Sequence, residues 1–101
     1  MAQVVWAQSA VDELDRIADY IALDKPAAAR SLVRRVIERV ERLREFPESG
    51  SRLREFPRLP HRQVIEPPCR VIYRIEGAEV LIVHVMRSEQ RLRRAVLTRR
   101  R

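Results

Sequence analysis

Glycine, cysteine and lysine are almost missing from this chain. Two glycines, Gly50 and Gly77, in 101 residues cannot build a phosphate-cradling loop or a dinucleotide turn, which need several glycines close together. The single cysteine, Cys69, excludes an internal disulfide and a thiolate zinc cluster and suits a reducing cytoplasm. Cys69 is read as a core residue. No apolar run approaches the ~18 residues of a membrane-spanning helix. Met1 to Trp6 also lacks the charged start and long apolar stretch of a signal peptide. Motifs for serine or cysteine nucleophiles and for metal binding are absent as well. The expectation is a soluble, cytoplasmic protein without cofactor or metal.

What the chain does have is arginine. Of 21 basic residues only Lys25 is a lysine, and the formal net charge is +7. Seven arginines (Arg87, Arg91, Arg93, Arg94, Arg99, Arg100 and Arg101) face one acid, Glu89, from residue 87 onward, a local net of +6. The positive field therefore belongs to the C-terminus. Arginine forks bind phosphate or carboxylate bidentately, so this region suits a polyanion or an acidic protein. With 46% hydrophobic residues the chain has a core to bury. A chain this short makes one domain, spanning 1–101 with a basic tail over about 91–101. Such a domain buries only ~60–65% of its unfolded surface, so a partner that covers apolar area would stabilise it.

The pattern along the chain reads β-α-α-β-β-β. Gln3 to Trp6 is a short β-type run, and Ser9 with Asp12 resembles a capping box. Val11, Leu14, Ile17, Ala18 and Ile21 recur at helical spacing, with Asp12, Asp15, Arg16 and Asp19 on the other side. Asp24-Lys25-Pro26 breaks this helix and starts another, with Asp24 as N-cap and Pro26 in the first turn. Ala29, Leu32, Val33, Val36, Val40 and Leu43 form the second stripe. The short connection makes the two helices an antiparallel hairpin. Residues 47–60 hold three prolines and Gly50 and read as a loop, pinned by Leu53, Phe56 and Leu59. Arg62 to Glu66 reads as a strand, and Cys69 to Ile75 with Glu79 to Met86 as a β-hairpin around Gly77. The fold class is α+β, with the helical hairpin packed on a small, mainly antiparallel sheet.

Alternation in Cys69 to Ile75 places Arg70, Ile72 and Arg74 on one face and Cys69, Val71, Tyr73 and Ile75 on the other. With helices on the second face, Arg70 and Arg74 are expected on an open sheet surface, with Arg62 and Arg87 at strand ends. His84 reads as a packed or hydrogen-bonded strand residue, His61 as a solvent-facing loop edge, and Tyr20, Tyr73 and Trp6 as core.

Several segments together resemble the RelE/ParE superfamily of type II toxins. They are Trp6 with Ser9-Ala10, Leu14 to Ile21, Asp24 to Ala29, Phe46 to Gly50, Arg62 in its strand, Cys69 to Ile75, and His84 to Arg87. The resemblance covers Gln3 to about Arg94 and is closer to ParE than to RelE. It implies a cognate antitoxin in a toxin–antitoxin hetero-oligomer. ParE-like members bind and block DNA gyrase, whereas RelE-like members cleave mRNA on the ribosome. For a nuclease, the resemblance points to Arg62, Arg70 and Arg87. However, Arg52, Arg54 and Arg58 stand where paired lysines are expected, and no tyrosine follows Arg87. Arginine stays protonated near neutrality and makes a poor general base. Gyrase inhibition is therefore favoured, with Arg70, Arg74, Arg87, Arg91, Arg93 and Arg94 engaging the target. The alternatives are ribosome-dependent mRNA cleavage and a non-toxic basic nucleic-acid-binding module.

Overall fold

The computed structural model describes residues 1–100; Arg101, counted above in the basic tail, lies outside the described residues. The order is β1 (Gln3–Trp6), α1 (Gln8–Ala22), α2 (Pro26–Glu41), β2 (Ser51–Arg52), β3 (Arg62–Glu66), β4 (Cys69–Glu76) and β5 (Glu79–Arg87). A 3-10 turn, Arg42–Arg44, extends α2, and a second, Arg94–Thr98, follows β5. The sheet runs β1-β5-β4-β3-β2, antiparallel except for the parallel pair β1–β5. The α+β class and the helical hairpin are as expected. Strand β2 is an addition: its two residues pair with Arg62 and Gln63 inside the segment read as a loop. A run that short carries no periodicity to detect.

Helix α1 buries Ala10 and Leu14, and α2 buries Ala29, Leu32, Val36 and Val40. Neither predicted cap forms. The residue preceding α1 is Ala7, not Ser9. Its amide donates to the Ile82 carbonyl, so β1 runs directly into the helix and the sheet sets the starting point. Before α2 the cap position is Lys25 rather than Asp24, with Pro26 in the first turn as expected. Gly77 closes the β4–β5 hairpin at φ +59°, a conformation that costs glycine little.

Two cores flank the sheet. The helical side joins Ala10, Leu14, Leu32, Val36, Val71, Tyr73 and Ile82, with Trp6 packed partly buried against it. The other side has a core of its own, made of Leu53, Ile72, Leu81, Val83, Met86, Leu92 and Leu97. The second sheet face is therefore closed, not open, because the loop after β2 and the chain after β5 lie across it. Full burial of a leucine contributes about 1.5–3 kcal/mol, so Leu92 and Leu97 hold this C-terminal strap down as packed structure. The alternation in β4 is as expected, with Cys69, Val71 and Tyr73 on the helical side and Ile72 on the other. The β4–β5 register shifts between Ile72 and Tyr73, which pair with His84 and Ile82 and leave Val83 as the extra residue of a bulge.

Tyr73, fully buried, fastens the loop at 47–50. Its hydroxyl donates to the Pro47 carbonyl (2.6 Å) and accepts from the Gly50 amide (3.0 Å). Burial raises the pKa of this phenol, so it stays protonated and able to donate. A Cβ on Gly50 would sit 2.6 Å from both the Gln63 carbonyl oxygen and this hydroxyl. Tyr73→Phe removes the partner of a buried amide and is expected to cost about 1–3 kcal/mol. Gly50→Ala, which must push β3 backbone aside, is expected to cost a similar ~1–3 kcal/mol. Urea denaturation checks both, and unchanged midpoints would refute the role given to this contact.

Candidate functional site

Strand β1 pairs with β5 only as far as Ile82. Beyond that point β5 has no strand on this side, and the Glu13 carboxylate of α1 fills the gap. Its Oε1 accepts from the Val85 amide (3.0 Å), while Oε2 meets His84 Nδ1 at 2.9 Å and the Arg99 guanidinium. Burial alone would raise the Glu13 carboxyl. The bonds from His84, Arg99 and Val85 more than offset this and hold it below the usual carboxylate range. Residues from the first helix, the last strand and the C-terminal strap thus meet at one carboxylate.

Next to this clamp lies a cleft of about 660 Å³, lined among others by Glu13, Arg16, Tyr20, His84, Arg87 and Glu89. Tyr20, expected in the core, is 67% exposed. Its ring lies beneath Arg87, whose guanidinium carbon is 5.8 Å from the ring centroid and whose Nε donates to Glu89 at 2.8 Å. Tyr20 comes after the buried part of α1 and two residues before the helix ends at Ala22, where no second layer covers it.

The other predicted arginines are scattered and mostly engaged. Arg70 is buried on the strap side of the sheet, forked onto Glu55 (2.7 and 3.2 Å) and Gln63 (2.8 Å). This pairing lowers the Glu55 carboxyl. Arg74 binds Glu76 and the Leu97 carbonyl. Arg62 donates to the carbonyls of Glu48 (3.1 Å) and Gly50 (2.8 Å) and braces the loop. Arg87 pairs in register with Cys69, Arg70 with Met86, so Arg70 and Arg87 lie on opposite faces. Arg62, Arg70 and Arg87 do not share a site. Arg91, Arg93 and Arg94 are exposed, with Arg94 5.7 Å above the Phe56 ring.

His61 is a correction: it is buried, not at a solvent edge. One ring nitrogen, Nε2, holds the Leu97 carbonyl at 2.8 Å, while Nδ1 is buried without a partner. Glu13 was not a candidate from sequence, and Arg99 counted only as part of the basic C-terminus. Glu13 was legible in principle, because it falls between Ala10 and Ile17 at three- and four-residue spacing, on the inward flank of α1, where an acid needs a partner. Nothing local marks Arg99, which finds Glu13 only through the strap. Among the described residues no three His, Cys, Asp or Glu side chains gather as a metal site. No helix among them is long and apolar enough to cross a membrane.

Comparison with known proteins accounts for this architecture. Residues 4–92 match the family described as the ParE toxin of the type II toxin–antitoxin system parDE. A curated protein, Toxin RelE2 of Caulobacter vibrioides, is 34% identical over 85 residues, covering 84% of this chain and 93% of the relative. The chain belongs to the RelE/ParE superfamily of type II toxins. A solved structure of the chromosomal ParDE system from P. aeruginosa superimposes with a TM-score of 0.76 at 27% identity, covering 88% of this toxin and 98% of that chain. The RelBE2 toxin–antitoxin complex from Mycobacterium tuberculosis shares the fold, with a TM-score of 0.60 at 20% identity over 85% of this chain and 96% of that one.

The strap of the toxin should respond to acid through His61. Desolvation holds the His61 pKa below 6.5, against the raising effect of the Leu97 carbonyl, and the Arg74 charge lowers it further. A base with a depressed folded pKa contributes its full stability above the unfolded pKa, and loses it as pH falls below about 6.5. Glu13 adds a second loss below about 4.5, because its folded pKa is also lowered. Stability measured by urea titration should therefore fall in two stages below pH 6.5. His61→Gln should remove the first stage and keep the second.

Proposed function

We propose that this toxin blocks DNA gyrase by binding it in the bacterial cytoplasm, and that a cognate antitoxin neutralises it as a hetero-oligomer. The observation that carries this reading is the separation of Arg70 from Arg87 on opposite sheet faces, each already paired, with Arg62 spent on loop carbonyls. A nuclease holds one phosphate among several cations and a base, and these three arginines offer no such convergence. The ParE match over residues 4–92 supports the same reading. The antitoxin occupies the helical side, where a groove among Val4, Trp6, Leu14, Val33 and Ile37 accepts an amphipathic segment. The ParDE and RelBE2 neighbours are toxin–antitoxin systems, which supports such a partner.

Ribosome-dependent mRNA cleavage is the second reading, favoured by the similarity to Toxin RelE2 and by His84. The Glu13 carboxylate orients His84 through Nδ1, in a cleft that also holds Arg16 and Arg87. That pairing can serve a base that takes a proton from a ribose 2′-hydroxyl.

Purified toxin is expected to inhibit gyrase supercoiling and trap DNA breaks while leaving mRNA on ribosomes intact. Cleaved mRNA with unaffected gyrase would overturn the proposal, and loss of that cleavage in His84→Gln would then locate the base. Replacing Arg91, Arg93 and Arg94 with alanine should abolish growth arrest and leave the fold intact, since Arg91 and Arg93 make no ion pair or side-chain hydrogen bond and Arg94 gives up only its contact with the Phe56 ring. Undiminished arrest by a folded triple variant would remove the strap from the target-binding surface.

A further inference from the structure

Five exposed arginines gather where the C-terminal strap crosses the loop after β2: Arg54 and Arg58 on the loop, and Arg91, Arg93 and Arg94 on the strap. Packing brings the two segments together. Leu53, Phe56 and Leu59 of the loop share one core with Leu92, Val96 and Leu97 of the strap. Arg94 lies over the Phe56 ring, and Arg54 and Arg58 stand two residues to either side of that phenylalanine. Leu92 is buried between Arg91 and Arg93, and both arginines are exposed.

The acids of this region are already committed. Glu55 gives both carboxylate oxygens to Arg70, and Glu89 binds Arg87. Arg58, Arg91 and Arg93 form no ion pair or side-chain hydrogen bond among the described residues. Five neighbouring like charges repel one another, so an outside polyanion is the counterpart that relieves them.

The patch also has few of the apolar anchors that an amphipathic peptide partner would use. Of the large apolar side chains that are exposed, Tyr20, Leu23, Ile37, Phe46, Ile75 and Met1 lie outside both segments, and Ile65 borders the patch beside Arg54. Interfaces with amphipathic peptides rest on apolar anchors. A surface of arginines alone recognises repeated charge, as a phosphodiester backbone presents it. Arginine rather than lysine adds bidentate phosphate contacts.

We propose that the loop–strap surface built from Arg54, Arg58, Arg91, Arg93 and Arg94 binds the phosphodiester backbone of duplex DNA without reading its sequence. This does not rest on the gyrase reading. A toxin that failed to inhibit gyrase would still bind duplex through this surface.

The test is binding of purified toxin to a fluorescent 20-base-pair duplex, followed by anisotropy from ~50 to ~200 mM salt. With four or five phosphates neutralised, log affinity should fall against log salt with a slope of about −4. Two duplexes of unrelated sequence should bind alike. Arg54→Ala with Arg58→Ala should flatten the slope by about 2 units, and alanine at Arg91, Arg93 and Arg94 by about 3. Alanine at Arg30 and Arg34, exposed on α2, should leave it unchanged. Circular dichroism and a urea titration confirm that each variant is folded. Absence of binding at the lowest salt, or slopes indifferent to the loop arginines, would overturn the proposal. So would polyglutamate competing as well as duplex, which would assign the patch to an acidic protein instead.

Discussion

On the side away from β4, strand β5 has a neighbouring strand for only about half its length, and much of the structure follows from how the other half is completed. Past Ile82 its backbone would face water or another chain, which is the ordinary hazard of an exposed sheet edge. A carboxylate supplied by α1 answers it. Glu13 accepts from the Val85 amide, and its second oxygen collects His84 and Arg99. A carboxylate that is largely withdrawn from water is tolerable only when it is paired and hydrogen-bonded. Here the pairing comes from residues 71 and 86 positions away in the chain. The clamp therefore holds only when helix, strand and strap are all in place, and it ties the order of the C-terminus to the packing of the first helix.

The strap changes what the arginines mean. An open sheet face would have made Arg70 and Arg74 a ligand surface. Closing that face with Leu92 and Leu97 turns both into internal braces, one on Glu55 and the other on Glu76 and the Leu97 carbonyl. The free charge moves outward to the strap and the loop it crosses. A single act of burial thus withdraws two arginines from solvent and orders the segment that presents Arg91, Arg93 and Arg94.

Most of the fold was legible because it rests on periodicity. The two helical stripes, the alternation in β4 and the glycine turn at Gly77 each follow from local spacing, and each stands where spacing places it. The misreadings share one cause, which is contact across long separations. Ser9 and Asp24 look like caps, but the sheet sets where α1 begins and Lys25 takes the position before α2. Tyr20 sits on an apolar stripe that outruns the layer covering it. His61 looks solvent-facing until Leu97, 36 residues later, lies down on it. Of the candidate site, the arginines were visible as a composition, while their separation onto two faces was not. That separation depends on the alternation in β4 and on which segment covers each face, and no stretch of sequence states the second.

The two sides of the sheet now offer different chemistries to partners. Apolar side chains left partly uncovered, including Trp6, Val33 and Ile37, lie by the helices, and they suit a segment that brings an apolar stripe of its own. The strap side exposes mainly charge, with Ile65 as an exposed apolar side chain on that face, and such a surface attracts its partner over distance but fixes it loosely. An antitoxin seated on the helical side would leave the arginines of the strap uncovered. To silence a target contact made there, it must either extend around the sheet edge at β5 or act through the Glu13 clamp that anchors the strap. Both routes pass through the cleft beside Tyr20 and Arg87, where the helical side, the half-paired strand and the start of the strap meet.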